Sequence, residues 1–211
     1  MNLGERRRRL VEARLCLVLE ARPEGRDPAD MLEAALGGGV DFVVLRDPEP
    51  TIEAAETFRE ATAFYDALLA VTDRPDVALA CGADAVHAEE LSVAAARQLA
   101  GSELLVGASI RAPADVLDPG GADYIFVGPV FETATKPDWE PVGLASVQLA
   151  AERCHVPFFA IGGIDVANAV EVVAAGAERI GVMRAIRDSD DPEAAARTLR
   201  ALLGARAIPD T

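Results

Sequence analysis

Eight short apolar runs, separated by Ala-rich stretches of helical period, restrict the fold of this chain more than any other feature. They span residues 15–19, 42–45, 68–72, 85–87, 104–109, 124–127, 158–161 and 179–182. They are continuous rather than alternating, as expected for strands buried on both faces of a parallel sheet. The stretches between them carry helix signals. Asp27-Pro28, Thr51, Ser92 and Asp191-Pro192 are starts, and Gly37 to Gly39, Gly101 and Gly176 are stops. Each helix follows one strand and precedes the next, an order that right-handed crossovers build into a (β/α)8 TIM barrel of the α/β class. An open doubly wound sheet is the competing arrangement. The barrel is preferred because no GxGxxG loop follows the first strand and eight units fill the 211 residues. The expectation is one domain over 1–211, with 1–13 as a solvated N-terminal helix.

Composition narrows the function classes. A formal charge of −15 leaves too little basic surface for a nucleic-acid binder. At 51% hydrophobic, the chain is far from the signature of disorder. Cys16, Cys81 and Cys154 lie far apart without CxxC spacing, which argues against a disulfide framework and against zinc and makes a cytoplasmic protein the expectation. Glu12 and Arg14 interrupt the apolar stretch that an export signal after Arg6 to Arg9 would need. No apolar run approaches the roughly 20 residues of a membrane helix. Nothing here fixes subunit number, and a homo-oligomer stays open.

In a barrel, chemistry sits where the βα loops leave the C-terminal strand ends. Cations, hydroxyls, carboxylates and glycines gather at those ends, as a site for phosphorylated small molecules requires. Gly162-Gly163, before a helix capped by Asp165, would offer backbone N–H groups to a phosphate, or would simply permit a tight turn. Thr133, Thr135 and the only lysine, Lys136, could line one face of an extended loop. Asp73 is a candidate Mg2+ ligand or a helix-capping acid, and Arg46 and Arg74 are pocket cations or partners of Asp47 and Asp76. His87 reads as a strand-end histidine satisfied by a neighbour. On the metal reading, Asp73→Asn should abolish Mg2+-dependent activity and leave the melting temperature nearly unchanged.

The strings RLCLVLEA, VDFVVLRD, VTDRPDVALACGADAVH, LLVGASI, ADYIFVGPVFETATK, VPFFAIGGI and AGAERIGVMRAI resemble, in order and spacing, the thiamine phosphate synthase and TenI-type family over about 14–203. That family folds as a (β/α)8 barrel. Its synthases displace pyrophosphate from a hydroxymethylpyrimidine diphosphate with the nitrogen of a thiazole phosphate, giving thiamine phosphate. The resemblance implies that Thr133, Thr135 and the Gly162-Gly163 backbone hold the thiazole phosphate. It places Lys136 and Arg46 on the pyrophosphate, Asp73 on Mg2+ and Ser109 near the pyrimidine.

Departures from the family pattern cluster on the diphosphate side. Val44 and Pro48 stand where the pattern QLREK has a pyrimidine-binding glutamine and a pyrophosphate-binding lysine. Thr72 replaces an asparagine, and AEEL after His87 lacks the GQxD pattern, so the second metal carboxylate is missing or is replaced by Glu89 or Glu90. Arg184 replaces a serine in the last phosphate loop. Three functions follow: a synthase, a TenI-like thiazole tautomerase whose catalytic histidine is absent near Arg111, and a non-catalytic binder of a phosphorylated ligand. Retention of Asp73, Arg46 and Lys136 favours the synthase.

Overall fold

A computed structural model describes residues 1–23 and 27–204; parts of the 1–211 domain expectation therefore lie outside the described residues. Eight parallel strands close in sequence order into a barrel, β1 pairing with β8. They are β1 Leu15–Leu19, β2 Phe42–Leu45, β3 Leu68–Thr72, β4 Ala85–Ala88, β5 Leu105–Ile110, β6 Tyr124–Val127, β7 Phe158–Ile161 and β8 Ile180–Val182. Five match the expected runs at both ends. The others differ by a residue at one or both ends, because an apolar run does not mark where pairing stops. Helices α1 Leu3–Glu12, α2 Ala29–Gly37, α3 Ile52–Phe64, α4 Pro75–Ala80, α5 Val93–Ala100, α6 Gly143–Arg153, α7 Ala169–Ala174, α8 Arg184–Arg187 and α9 Pro192–Gly204 surround it. A 3-10 turn, Pro113–Leu117, stands between β5 and β6. The expected caps are made: Thr51 and Ser92 accept from the amides of Ala54 and Ala95 at 3.1 and 3.2 Å, and Asp191 accepts from Ala194 at 2.9 Å.

Strand alternation divides the core in two. Leu15, Leu17 and Leu19 face the helices, while Cys16 and Val18 face the barrel interior with Phe42, Val44, Leu68, Ala70, Tyr124, Phe126 and Phe159. Gly107 makes room for this packing, since a Cβ there would lie 2.1 Å from the Tyr124 ring. Helix α1 is more than a solvated helix. Leu10 and Ala13 are buried against the interior cluster and close the N-terminal mouth.

A repeated device precedes every even strand: Gly39-Val40-Asp41, Gly82-Ala83-Asp84, Gly121-Ala122-Asp123 and Gly176-Ala177-Glu178. Each of these glycines has positive φ, from 69° to 103°. After α2, α4 and α7 it ends the helix with paired bonds such as Gly39 N–H to Leu36 O and Val40 N–H to Ala35 O. The three aspartates then tie their strand to the preceding one, accepting from the amides of Leu15, Leu69 and Val106 at 2.9–3.0 Å. Asp84 and Asp123 also bind Arg6 and Arg7 of α1, which seats the closing helix.

Candidate active site

The inward residues stack in layers from the closed mouth upward. On β2 and its extension the order is Phe42, Val44, Arg46, and on β4 it is Ala85, His87, Glu89, because positions two apart share a face. The top layers line a cavity of about 450 Å³ at the C-terminal end of the barrel. Val18, Val44, Phe126 and Ile161 give it an apolar floor, with Thr72, His87 and Ser109 as the polar points there. The Thr72 hydroxyl is buried and has no hydrogen-bond partner among the described residues.

His87 is satisfied as expected. One ring nitrogen lies 3.0 Å from Ser109 Oγ, the other 3.3 Å from the Tyr124 hydroxyl, and the ring lies 4.3 Å from that of Phe126. Burial drives its pKa down to about 4, against the opposing pull of Glu89 and Asp73 and with some help from Arg46. The unfolded side chain titrates near 6.5, so on acidification the unfolded chain takes up the proton first. Stability from this group is complete above pH 6.5 and declines as pH falls towards 4, by roughly 3 kcal/mol in all. Urea unfolding of His87→Gln should show a shallower decline over that window; an unchanged slope would contradict the assignment.

At the mouth, three charged side chains meet. Glu89 accepts from Arg46 Nε and Nη2 at 2.7 and 2.9 Å and from Lys136 Nζ at 2.8 Å. Burial works to raise the Glu89 pKa, but the two cations overcome it and hold the carboxyl at about 2. Trp139 stands beside them, its ring centre 4.4 Å from Lys136 Nζ and 4.1 Å from the Arg111 guanidinium carbon.

Several expected roles change in the structure. Glu90 is exposed and does not line the cavity; Glu89, two residues beyond inward His87, does. Arg74 is bound to Asp76 at 2.6 Å and also lies outside the lining. Asp73 has a φ of 52°, which breaks strand alternation and turns Arg74 away from the cavity. The Asp73 carboxylate accepts three backbone N–H groups, from Glu89, Glu90 and Leu91 at 2.8–3.1 Å. It clamps the loop that carries Glu89. Asp73→Asn should therefore lower stability by about 1–3 kcal/mol, because an amide cannot accept all three bonds. An unchanged urea midpoint would contradict the clamp.

These residues do not fit a preformed Mg2+ site. Three of the roughly four lone pairs on Asp73 are taken by backbone N–H groups, and Glu89 is taken by two cations.

On the opposite rim, Gly162 and Gly163 have φ of 95° and 69° and lie against Pro129 and Phe131. Their amides donate no hydrogen bond among the described residues, so both are available to an anion. The expected helix N-terminus is not behind them: α7 begins at Ala169, and Asp165 instead closes a turn on Ala167 and Asn168. Nor is the 133–136 loop extended. Lys136 N–H reaches back to Thr133 O at 3.3 Å, a turn that aims Lys136 into the mouth. Thr133, Thr135 and exposed Arg184 line the cavity, and Arg184 is held 2.8 Å from Asp188. Trp139 is not among the residues the sequence singles out, although a lone tryptophan three residues beyond a lone lysine is a signal.

The family model described as thiamine monophosphate synthase matches residues 15–186. The chain belongs to the thiamine monophosphate synthase family. It is 46% identical over 197 residues to a thiamine-phosphate synthase of Gloeobacter violaceus, covering 90% of this chain and 57% of that one. A thiamine-phosphate synthase of Saccharopolyspora erythraea is 44% identical, with 94% of this chain and 96% of the relative covered. Among solved structures, thiamine phosphate pyrophosphorylase from Pyrococcus furiosus superposes with a TM-score of 0.83 at 32% identity, covering 94% and 97% of the two chains. Family membership and the barrel agree with the layered cavity.

Proposed function

We propose that this chain is a transferase of thiamine biosynthesis that joins a hydroxymethylpyrimidine diphosphate to a thiazole phosphate, releasing pyrophosphate. The observation that carries this reading is the meeting of Arg46 and Lys136 on one anion at the mouth of an apolar-floored cavity. Two convergent cations in a low-dielectric mouth neutralise charge as it develops on departing pyrophosphate, which is the principal need of such a displacement. The floor of Val18, Val44, Phe126 and Ile161 keeps water from the methylene carbon that loses the diphosphate, so that the thiazole nitrogen bonds to it. Ser109, held by His87, is assigned a contact with the pyrimidine. The Gly162 and Gly163 amides, with Thr133, Thr135 and Arg184, are assigned to the thiazole phosphate. A cytoplasmic location belongs to the same reading and accords with three free thiols.

A second reading, a non-catalytic binder of a phosphorylated ligand, is favoured by Val44, which offers no hydrogen bond to a pyrimidine. Purified protein incubated with both substrates, with and without Mg2+, separates the two. Thiamine phosphate detected by mass is the expected result. Tight binding of thiazole phosphate without that product would leave only the binder.

A further inference from the structure

Glu89 fills the anion seat from within the protein. Its two oxygens take three charge-assisted hydrogen bonds from Arg46 and Lys136, at 2.7–2.9 Å, and only 12% of its side chain is exposed. Those are the cations assigned above to pyrophosphate. Any external anion that engages both must first displace this carboxylate, and the cost is the same for each anion that does so. Bidentate and charge-assisted contacts of this kind are among the stronger ones a protein makes.

We propose that Glu89 is an internal competitor for the diphosphate seat. It sets a threshold that simple dianions fail to cross and a diphosphate crosses, and it reoccupies the seat as pyrophosphate leaves. The proposal rests on the reading of Arg46 and Lys136 as the diphosphate-binding pair. Arg46 Nη2 and Lys136 Nζ share Glu89 Oε1, so a single tetrahedral anion reaches both, but a diphosphate brings a second phosphoryl group and more negative charge to the same seat. While the carboxylate is displaced, the Glu89 backbone stays fixed through its N–H bond to Asp73.

Trp139 is the only tryptophan and lies 4.4 Å from Lys136 Nζ, so its fluorescence reports on the seat. Inorganic pyrophosphate and sulfate, without metal and at low ionic strength, are titrated against the wild type, Glu89→Gln and Glu90→Gln. Glu90→Gln makes the same change in net charge outside the cavity. The expected result is that Glu89→Gln binds both anions at least tenfold more tightly, while Glu90→Gln stays within about twofold of the wild type. In the wild type, sulfate should bind at least tenfold more weakly than pyrophosphate.

Unchanged or weaker anion binding by Glu89→Gln, or an equal gain in Glu90→Gln, would overturn the competitor role while leaving the diphosphate seat standing if the wild type binds pyrophosphate. No pyrophosphate binding by any of the three would overturn the seat and the inference together. Should Glu89→Gln fail to fold, Glu89→Ala is titrated in its place with the same expected gain.

Discussion

Lys136→Met is expected to lower turnover by one to two orders of magnitude while changing thiazole phosphate affinity little. On the function proposed above, the loss is one charged hydrogen bond to the departing pyrophosphate, about 1.5–3 kcal/mol. Without substrate, Lys136 is satisfied by Glu89 and lies beside Trp139, so its removal takes away little packing. Glu89 keeps both bonds from Arg46, so no buried carboxylate is abandoned. The loss should therefore fall on turnover rather than on stability, with the melting temperature nearly unchanged. Steady-state kinetics with both substrates, together with calorimetric titration of thiazole phosphate, checks this. A loss of affinity with turnover intact would move Lys136 to the monophosphate side.

The second large effect is expected at the other end of the barrel. Asp84→Ala should destabilise the fold by about 3–5 kcal/mol, because it strands two arginines in partly buried surroundings. Asp84 is 1% exposed and binds Arg6 of α1, Arg59 of α3 and the Leu69 amide of β3. Three elements meet on one carboxylate, so the closing helix, the shell and the sheet lose their common tie. Against a typical total of about 5–15 kcal/mol, the change would leave a marginal protein. Equilibrium urea unfolding measures it, and a loss below about 1 kcal/mol would show that the network relaxes around the gap.

The barrel was legible in the sequence because a strand buried on both faces leaves no alternation to misread, and because capping residues such as Thr51 and Ser92 act locally. The site was legible where strand alternation carries beyond the strand: Arg46 is two residues past Val44. The same rule applied from His87 selects Glu89 over Glu90, and it was the available signal for the residue that enters the cavity. It fails at Asp73, whose positive φ reverses the chain and sends Arg74 to Asp76. No local pattern encodes that reversal, since the three amides that hold the Asp73 carboxylate come from the next strand's loop. The fourfold Gly-X-Asp/Glu device was visible as a repeat, but its purpose depends on which strand each carboxylate meets. The turn at 133–136 likewise depends on a backbone bond that TATK does not announce.

The central claim is that Arg46 and Lys136 draw off pyrophosphate while the dry floor delivers the pyrimidine to the thiazole nitrogen. A single-turnover experiment with enzyme in excess over the pyrimidine diphosphate, and with thiazole phosphate saturating, tests it most directly by following pyrophosphate and thiamine phosphate together. Both are expected to appear with the same rate constant and in a one-to-one ratio. Pyrophosphate released without matching thiamine phosphate would show that water reaches the methylene carbon, and release of neither would show that the two cations do not perform the displacement; each contradicts the account.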